Sequence, residues 1–193
     1  MYAKTSAGVG QAPLIDSDRR LVIASGGGKY TKETMDGNVY VVANQAAVAV
    51  TAALATTYTG LVVGNAATTG KNFIMLGFGY SSTVAIPTAT SIGIMAGSMT
   101  ALASTMTPIN RKLGGASSVA WCEDSCTIGT PILHQAFSQA WAEATTAGSI
   151  GPNTWIDLDG SLIVTPGTFV AAYSTAALSA SMLLSFMWME VDV

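Results

Sequence analysis

Charged residues are almost absent from two long stretches of this chain, and their scarcity limits what the chain can fold into. Lys71 is the only charged residue between positions 37 and 110, and positions 160–189 contain none. Half of the 193 residues are hydrophobic. Because a monomer normally keeps its exposed apolar patches small, we expect part of the surface to be buried against other copies of the chain or against a partner.

The same composition excludes several classes of protein. A formal net charge of −3 provides no positive field for phosphates, so we expect no nucleic-acid partner. Positions 168–189 are long enough to cross a bilayer as a helix, but they contain repeated Ser and Thr residues and no basic loop flanks them. The first ten residues lack the apolar centre of a signal peptide. We therefore expect no membrane segment and synthesis in a cytoplasm.

The first 28 residues differ from the rest of the chain. They end in three successive glycines at 26–28, which are typical of a flexible joint. These glycines do not form a phosphate-binding loop, because Lys29 is followed by Tyr30 and not by Ser or Thr. We predict an extended N-terminal arm with a glycine hinge at 1–28 and a β-sandwich domain at 29–193. The arm residues predicted to contact a partner are Asp16, Asp18, Arg19 and Arg20. Charged contacts at an interface rim set register more than affinity.

Short hydrophobic segments separated by Gly, Pro and Asn follow the hinge. The clearest signal predicts a hairpin, with strands at 60–65 and 71–80 joined by five residues that end in Gly70. Further strands are predicted at 39–42, 92–99, 119–122, 154–158, 161–164, 168–173 and 180–191. Positions 131–147 fit either a helix or a strand. The pattern predicts an all-β, antiparallel, jelly-roll-like sandwich.

The last predicted strand is apolar on both faces. Successive strand residues point to opposite sides, so one face carries Leu184, Phe186 and Trp188, and the other carries residues 183, 185, 187 and 189. A strand covered on both sides in a small antiparallel protein implies something outside the sandwich. We therefore predict that Leu184, Phe186 and Trp188 contribute to a subunit interface.

Few side chains have the spacing of a catalytic or metal site. The polar candidates are Cys122, Glu123, Asp124, Cys126, His134, Asp157 and Asp159. The two cysteines lack a second ligand pair, the aspartates at 157 and 159 lack the further ligands of a calcium loop, and the histidine belongs to no triad pattern. We predict no catalytic, cofactor or metal site and no enzyme. The four tryptophans fit either core packing or a platform for a sugar.

Three segments resemble small structural proteins of tailed bacteriophages. They read GLVVGNAATTGKNFIML at 60–76, WIDLDGSLIVTPGTFVAAY at 155–173 and SFMWMEVDV at 185–193. The matching features are Asn65, Gly70-Lys71-Asn72, Leu158-Asp159-Gly160, Pro166-Gly167 and Trp188-Met189-Glu190. The resemblance covers roughly residues 59–99 and 154–193 and leaves the arm and the middle of the chain unmatched.

The resemblance implies a jelly-roll virion protein, usually trimeric, that decorates and cements the capsid. Its partners would be further copies of itself and the major capsid protein, and its location would be the capsid surface after synthesis in the host cytoplasm. A second hypothesis is a trimeric receptor- or glycan-binding head on a virion fibre or tail. The chain contains no heptads and no internal repeat for attachment to a fibre, which favours decoration.

Overall fold

The computed structural model describes residues 28–84, 86, 89–99, 104–140 and 154–193, together with four two-residue strands nearer the N-terminus. These strands form two antiparallel pairs, β1 (Ala3–Lys4) with β2 (Gly10–Gln11) and β3 (Leu14–Ile15) with β4 (Leu21–Val22). The predicted contact residues Asp16, Asp18, Arg19 and Arg20 lie outside the described residues.

From residue 28 onward, the described residues form one short helix and eleven strands. The helix is α1 (Thr31–Asp36). It ends at Gly37, which has the left-handed conformation (φ 83°) common just after a helix. The strands are β5 (Val39–Ala43), β6 (Val48–Val50), β7 (Thr57–Asn65), β8 (Lys71–Ser82), β9 (Thr90–Ser98), β10 (Ile109–Asn110), β11 (Trp121–Thr127), β12 (Ile132–Ala140), β13 (Thr154–Val164), β14 (Thr168–Ser174) and β15 (Leu178–Asp192).

The eleven strands form two antiparallel sheets. Sheet A has the order β10-β5-β15-β8-β13, and β6 also pairs with β15. Sheet B has the order β11-β7-β14-β9-β12. The buried apolar residues of both sheets form one cluster. The prediction of an all-β antiparallel sandwich is therefore confirmed.

Strand pairing in this sandwich is nested. The early strand β5 pairs with the late strand β15, β7 pairs with β14, β8 with β13, and β9 with β12. The strands β10 and β11 lie between β9 and β12 in the chain, and each extends one edge of a sheet. From β5 to β15 the chain is thus one long ribbon, folded back on itself and wrapped around the core.

The predicted hairpin at 60–80 is wrong in its pairing, although both of its strands exist. β7 belongs to sheet B and β8 to sheet A, so residues 66–70 cross from one sheet to the other. The buried side chain of Asn65 holds this corner. Its Nδ2 donates to the carbonyl oxygens of Lys71 at 2.7 Å and Val164 at 2.9 Å, and its Oδ1 accepts a hydrogen bond from Thr69 Oγ1.

Aromatic side chains fill the core next to sheet A. The ring centroids of Phe78 and Phe186 lie 4.8 Å apart, and Trp188 stacks on Tyr40 at 6.1 Å. Phe137 of sheet B reaches Phe78 at 6.0 Å. Such offset and tilted pairs add to the stabilisation that comes from area burial alone, so the two sheets are joined by an aromatic cluster.

Leu184, Phe186 and Trp188 lie in this core, which differs from the subunit interface expected from the sequence. Their side chains are 2%, 0% and 0% exposed in the single chain. The larger side chains of β15 face sheet B, because only that side offers partners for complete burial. The neighbouring residues Leu183 and Met187 point the other way, so any contact that β15 makes with another molecule uses that second face.

Two further predictions are refined by the structure. The segment 131–147, predicted as either helix or strand, is a strand at Ile132–Ala140, and residues 141–147 lie outside the described residues. Asp159-Gly160, predicted as a turn between strands, lies inside β13 at a β-bulge, where the register with β8 shifts between Asp157 and Leu162. Its left-handed φ values of 50° and 76° suit an Asp-Gly pair. No helix in the described part of the chain is long and apolar enough to span a bilayer.

Candidate functional site

The outward side of sheet A, which we call the outer face, is the candidate functional surface. Residues directly opposite one another in neighbouring strands share a face. Because Phe186 of β15 points inward, its neighbours in the strand point outward, and the pairing extends this face across the sheet. Three rows result: Ala43-Ser185-Gly79-Trp155, Val41-Met187-Gly77-Asp157 and Val39-Met189-Ile74-Ile163.

Trp155 lies flat on the outer face, over two glycines of β8. A Cβ atom placed on Gly77 would lie 2.1 Å from Trp155 Cζ2, and one placed on Gly79 would lie 3.0 Å from Trp155 Cε3. The ring therefore occupies space that any other residue at these positions would fill. Its other side faces solvent, and the residue is 50% exposed. A half-exposed indole on a rigid sheet provides a large contact area at low entropic cost.

A shallow groove runs beside Trp155. Its floor contains Gly79 and Ser185, and Leu183 and Asn44 line it with Trp155. Asn44 is held in place because its Nδ2 donates to the carbonyl oxygen of Met182 at 3.0 Å. Backbone and aromatic groups therefore shape the groove, and its exposed surface is mainly apolar.

Four residues tie the start of the domain to this face, and we call them the clasp: Lys29, Tyr30, Asp157 and Asp159. Lys29 Nζ forms an ion pair with Asp159 and lies 3.7 Å from Asp157 Oδ2. Tyr30 donates its hydroxyl hydrogen to Asp159 Oδ1 at 2.7 Å. The ammonium group of Lys29 also lies 5.3 Å from the Tyr30 ring centroid, within cation–π range. The bulge in β13 brings Asp159 to the position where both partners reach it.

The residues next to the clasp also pack on the outer face. Gly28, Lys29 and Tyr30 line a second groove together with Val39 and Met187. The point at which residues 1–27 join the sandwich therefore lies on the outer face, on the same side of sheet A as Trp155.

The polar groups at the end of sheet A near Glu190 form hydrogen bonds with one another within the chain. The buried carboxylate of Glu190 accepts hydrogen bonds from Ser118 Oγ, from the Val119 backbone N–H at 3.2 Å and from Trp188 Nε1 at 3.4 Å. Burial, and then the charge of Glu190, raises the pKa of Tyr40. Each contact of this carboxylate stabilises the fold, so we assign Glu190 a structural role.

The two cysteines are free and protonated at neutral pH. Burial, with a smaller contribution from Glu190, raises the pKa of the Cys122 thiol far above its ordinary value. Burial, and then the charges of Glu123 and Asp124, raises the pKa of Cys126 to about 11. A protonated thiol is a poor nucleophile and a poor metal ligand. No group of three or more His, Cys, Asp and Glu side chains that could hold a metal ion occurs in the described part of the chain.

The other sequence candidates are dispersed. His134 is exposed on the edge strand β12, and Glu123 is buried on β11. Of the three tryptophans that the structure describes, Trp188 is buried, Trp121 packs partly against the core and Trp155 is exposed. The sugar platform considered for several tryptophans is thus reduced, in the described residues, to one ring.

No protein-family profile, no curated protein and no solved structure matches this chain. The resemblance to phage structural proteins therefore rests on the sequence segments alone. The sequence alone also did not predict that the Trp155 ring packs on Gly77 and Gly79, or that the clasp forms. The available signals were two pairs of residues spaced two apart, Gly77 and Gly79 in β8 and Trp155 and Asp157 in β13. Each pair shares one face of its strand, but the two pairs can be related only once β8 and β13 are known to be neighbours.

Proposed function

We propose that this chain is a non-enzymatic structural protein of a tailed-phage virion that decorates and cements the capsid as a homo-oligomer, expected to be a trimer. The observation that carries the proposal is the apolar outer face, where Trp155, Ile163 and Leu183 are 50%, 50% and 37% exposed. The core of the sandwich is already complete on the other side of sheet A. These residues are therefore free to contact another molecule.

The strand order supports a jelly roll, the fold that the resemblance implies. Eight strands make two four-stranded sheets, β5-β15-β8-β13 and β7-β14-β9-β12, within the larger sheets. Their nested pairing is that of a hairpin rolled into a double sheet, an arrangement used by many viral capsid domains. Fold alone does not define function, so this order supports the proposal without carrying it.

The physical task of a cement protein suits a surface with few charges and several modest contacts. Such a protein holds neighbouring capsid subunits together against the pressure of packaged DNA. An oligomer that engages several subunits at once multiplies weak contacts through their high effective concentration. The partners in this proposal are further copies of the chain and the major capsid protein, and the location is the capsid surface.

The test uses particles of the phage that encodes this chain, prepared with and without the protein. Particles that carry it are expected to retain their DNA to a higher temperature, which a dye that reports released DNA measures. Equal release temperatures would contradict cementing. Cryo-electron microscopy of the same particles is expected to place the protein on the shell.

The predicted arm has its own test. Deletion of residues 1–25 is expected to leave a folded oligomer that no longer binds shells, which sedimentation with and without shells measures. Binding equal to that of the full chain would contradict a role for the arm.

One observation favours the alternative, a receptor- or glycan-binding head of a fibre or tail. The exposed ring of Trp155 beside a groove is the type of surface on which an apolar sugar face stacks. In that case cryo-electron microscopy would place density at the tail or a fibre. Particles lacking the protein would then keep their heat stability but fail to attach to cells.

A further inference from the structure

We propose that this protein binds the capsid shell through the outer face of sheet A, and that the partner of this face is an apolar, weakly charged surface of the shell protein. This inference rests on the proposed function and specifies which side of the sandwich meets the shell. It follows from three observations: where residues 1–27 join the domain, which apolar groups are exposed beside that point, and how the charges on this face are paired.

The first observation is the position of the clasp. Lys29 and Tyr30 bind Asp159 on β13, so the 27 residues before Gly28 join the sandwich on the outer face. Two contacts made by one chain reinforce each other only when the geometry allows both at once. If the outer face meets the shell, the arm begins at the shell surface. If any other side met the shell, the arm would begin away from it.

The second observation is the chemistry of the exposed groups. On this face Trp155 and Ile163 belong to the edge strand β13, and Leu183 belongs to β15, with β8 between the two strands. Met187 of β15 lines the groove that Lys29 and Tyr30 also line. Interface centres are enriched in Trp and Met, and the residues that dominate binding sit in well-packed, dry pockets. The groove between Trp155 and Leu183 offers such a pocket to a protruding apolar side chain of the partner.

The third observation is the pairing of charges. The charged members of the clasp, Lys29, Asp157 and Asp159, contact one another and leave a net charge of −1. The cationic Arg111 lines the neighbouring groove, so the charges of this face nearly balance. A charge that is already paired is less costly to cover than an isolated one. A partner of strong opposite charge is therefore not required, and a weakly charged apolar surface fits this face.

Another exposed apolar site provides the matched control. Ile132 is 63% exposed on β12, the edge strand of sheet B. It is as hydrophobic and as accessible as Ile163, but the clasp lies on the other sheet. A lysine at either position tests the same chemistry at two different places on the sandwich.

The experiment measures co-sedimentation of the full chain with shells assembled from the major capsid protein of the same phage. Leu183→Lys and Ile163→Lys are expected to weaken binding by about tenfold or more, and Ile132→Lys by less than about twofold. Thermal unfolding confirms that each variant is folded. Sedimentation velocity without shells is expected to show the same assembly state for all of them. Dissociation of the face variants would assign the outer face to a second copy of the chain and overturn the inference.

Hydroxyl-radical footprinting of the unmodified protein gives a second measurement that does not depend on the variants. On shells, protection is expected at Trp155, Leu183 and Met187, and little change is expected at Ile132. Protection at Ile132 without protection at Trp155 would overturn the inference and leave the proposed function standing. Failure of the unmodified protein to bind shells at all would overturn the proposed function itself.

Discussion

Replacing Asn65 by aspartate removes the hydrogen-bond donor that holds the corner between the two sheets. The Asn65 side chain is fully buried and donates to the carbonyl oxygens of Lys71 and Val164. A carboxylate has nearly the same shape but is an acceptor only. In Asn65→Asp both carbonyl oxygens would lose their donor and face another oxygen, while the bond from Thr69 Oγ1 would remain.

The expected cost follows from these two bonds. A buried polar group left without its partner costs roughly 1–3 kcal/mol, so two of them and a buried carboxylate lower the free energy of unfolding by about 3–5 kcal/mol at pH 7. The loss is smaller at pH 4. Burial raises the pKa of the introduced carboxyl in the folded state above its value in the unfolded state. The folded state therefore holds that proton more tightly, so its stabilising effect is present at low pH and disappears as the pH rises.

Urea unfolding followed by tryptophan fluorescence measures the change by linear extrapolation. All proteins are compared at one concentration, because the stability of an oligomer depends on it. Gln45→Glu is the matched control: it makes the same amide-to-carboxylate change, but the Gln45 amide makes one exposed bond, to the carbonyl oxygen of Ala43 at 3.0 Å. We expect this control to lose less than about 1 kcal/mol. Equal losses in the two variants would refute the role given to Asn65.

Three further predictions test the core, the thiols and the outer face. Above about pH 9, the free energy of unfolding is expected to fall because the folded state holds the Cys122 proton more tightly than the unfolded state. Each pH unit removes about 1.4 kcal/mol of this contribution. In urea unfolding, Cys122→Ala should therefore show a shallower decline with pH than the unmodified protein, and parallel declines would contradict the role given to Cys122. Phe186→Ala is expected to cost about 3–5 kcal/mol by opening a cavity, and the outward-facing Leu183→Ala about 1 kcal/mol; similar losses in thermal unfolding would contradict their opposite orientations. Gly77→Ala is expected to lift the Trp155 ring from the sheet and to increase the quenching of its fluorescence by acrylamide. The fluorescence of Trp155→Phe gives the contribution of the other tryptophans, which is subtracted. Unchanged quenching of Trp155 would show that the ring does not lie on Gly77.

Most strand positions could be predicted from the sequence, but the pairing partners of the strands could not. A five-residue connection with a terminal glycine looks the same whether it closes a hairpin or crosses between sheets. The choice at residues 66–70 depends on distant groups, since the Asn65 amide binds the carbonyl of Val164 and β8 pairs with β13 and β15. Local pattern therefore predicted β7 and β8 and assigned them to the wrong neighbours.

The orientation of β15 shows a similar limit. Hydrophobic alternation chooses an inner face only when the other face is polar, and here both sets of side chains are apolar. The inference that something covers the outer side of this strand came from composition and stays a prediction. The side chains assigned to that contact were the inward set, because only packing against Phe78 and Tyr40 distinguishes the two.

The candidate site was the least predictable part of the molecule. Trp155 was placed in the predicted strand at 154–158 but was given no role beyond that of one of four tryptophans, and Lys29 was considered only as part of a segment that does not form a phosphate-binding loop. Their roles depend on contacts with Gly77 and Asp159, in segments about 80 and 130 residues away respectively. No local rule of propensity or spacing relates such pairs, so the clasp and the packing of Trp155 on Gly77 can be recognised only in the folded structure.

The nested pairing has a consequence for how this protein is made. β15 lies between β5 and β8 in sheet A, although β5 leaves the ribosome some 140 residues earlier. Until residues 178–192 emerge, β5 and β8 lack the strand that lies between them, and such high contact order slows folding and prolongs exposure to aggregation. Expression at low temperature or with chaperones should therefore raise the soluble yield, and nonsense products that stop short of residue 178 should accumulate as insoluble material.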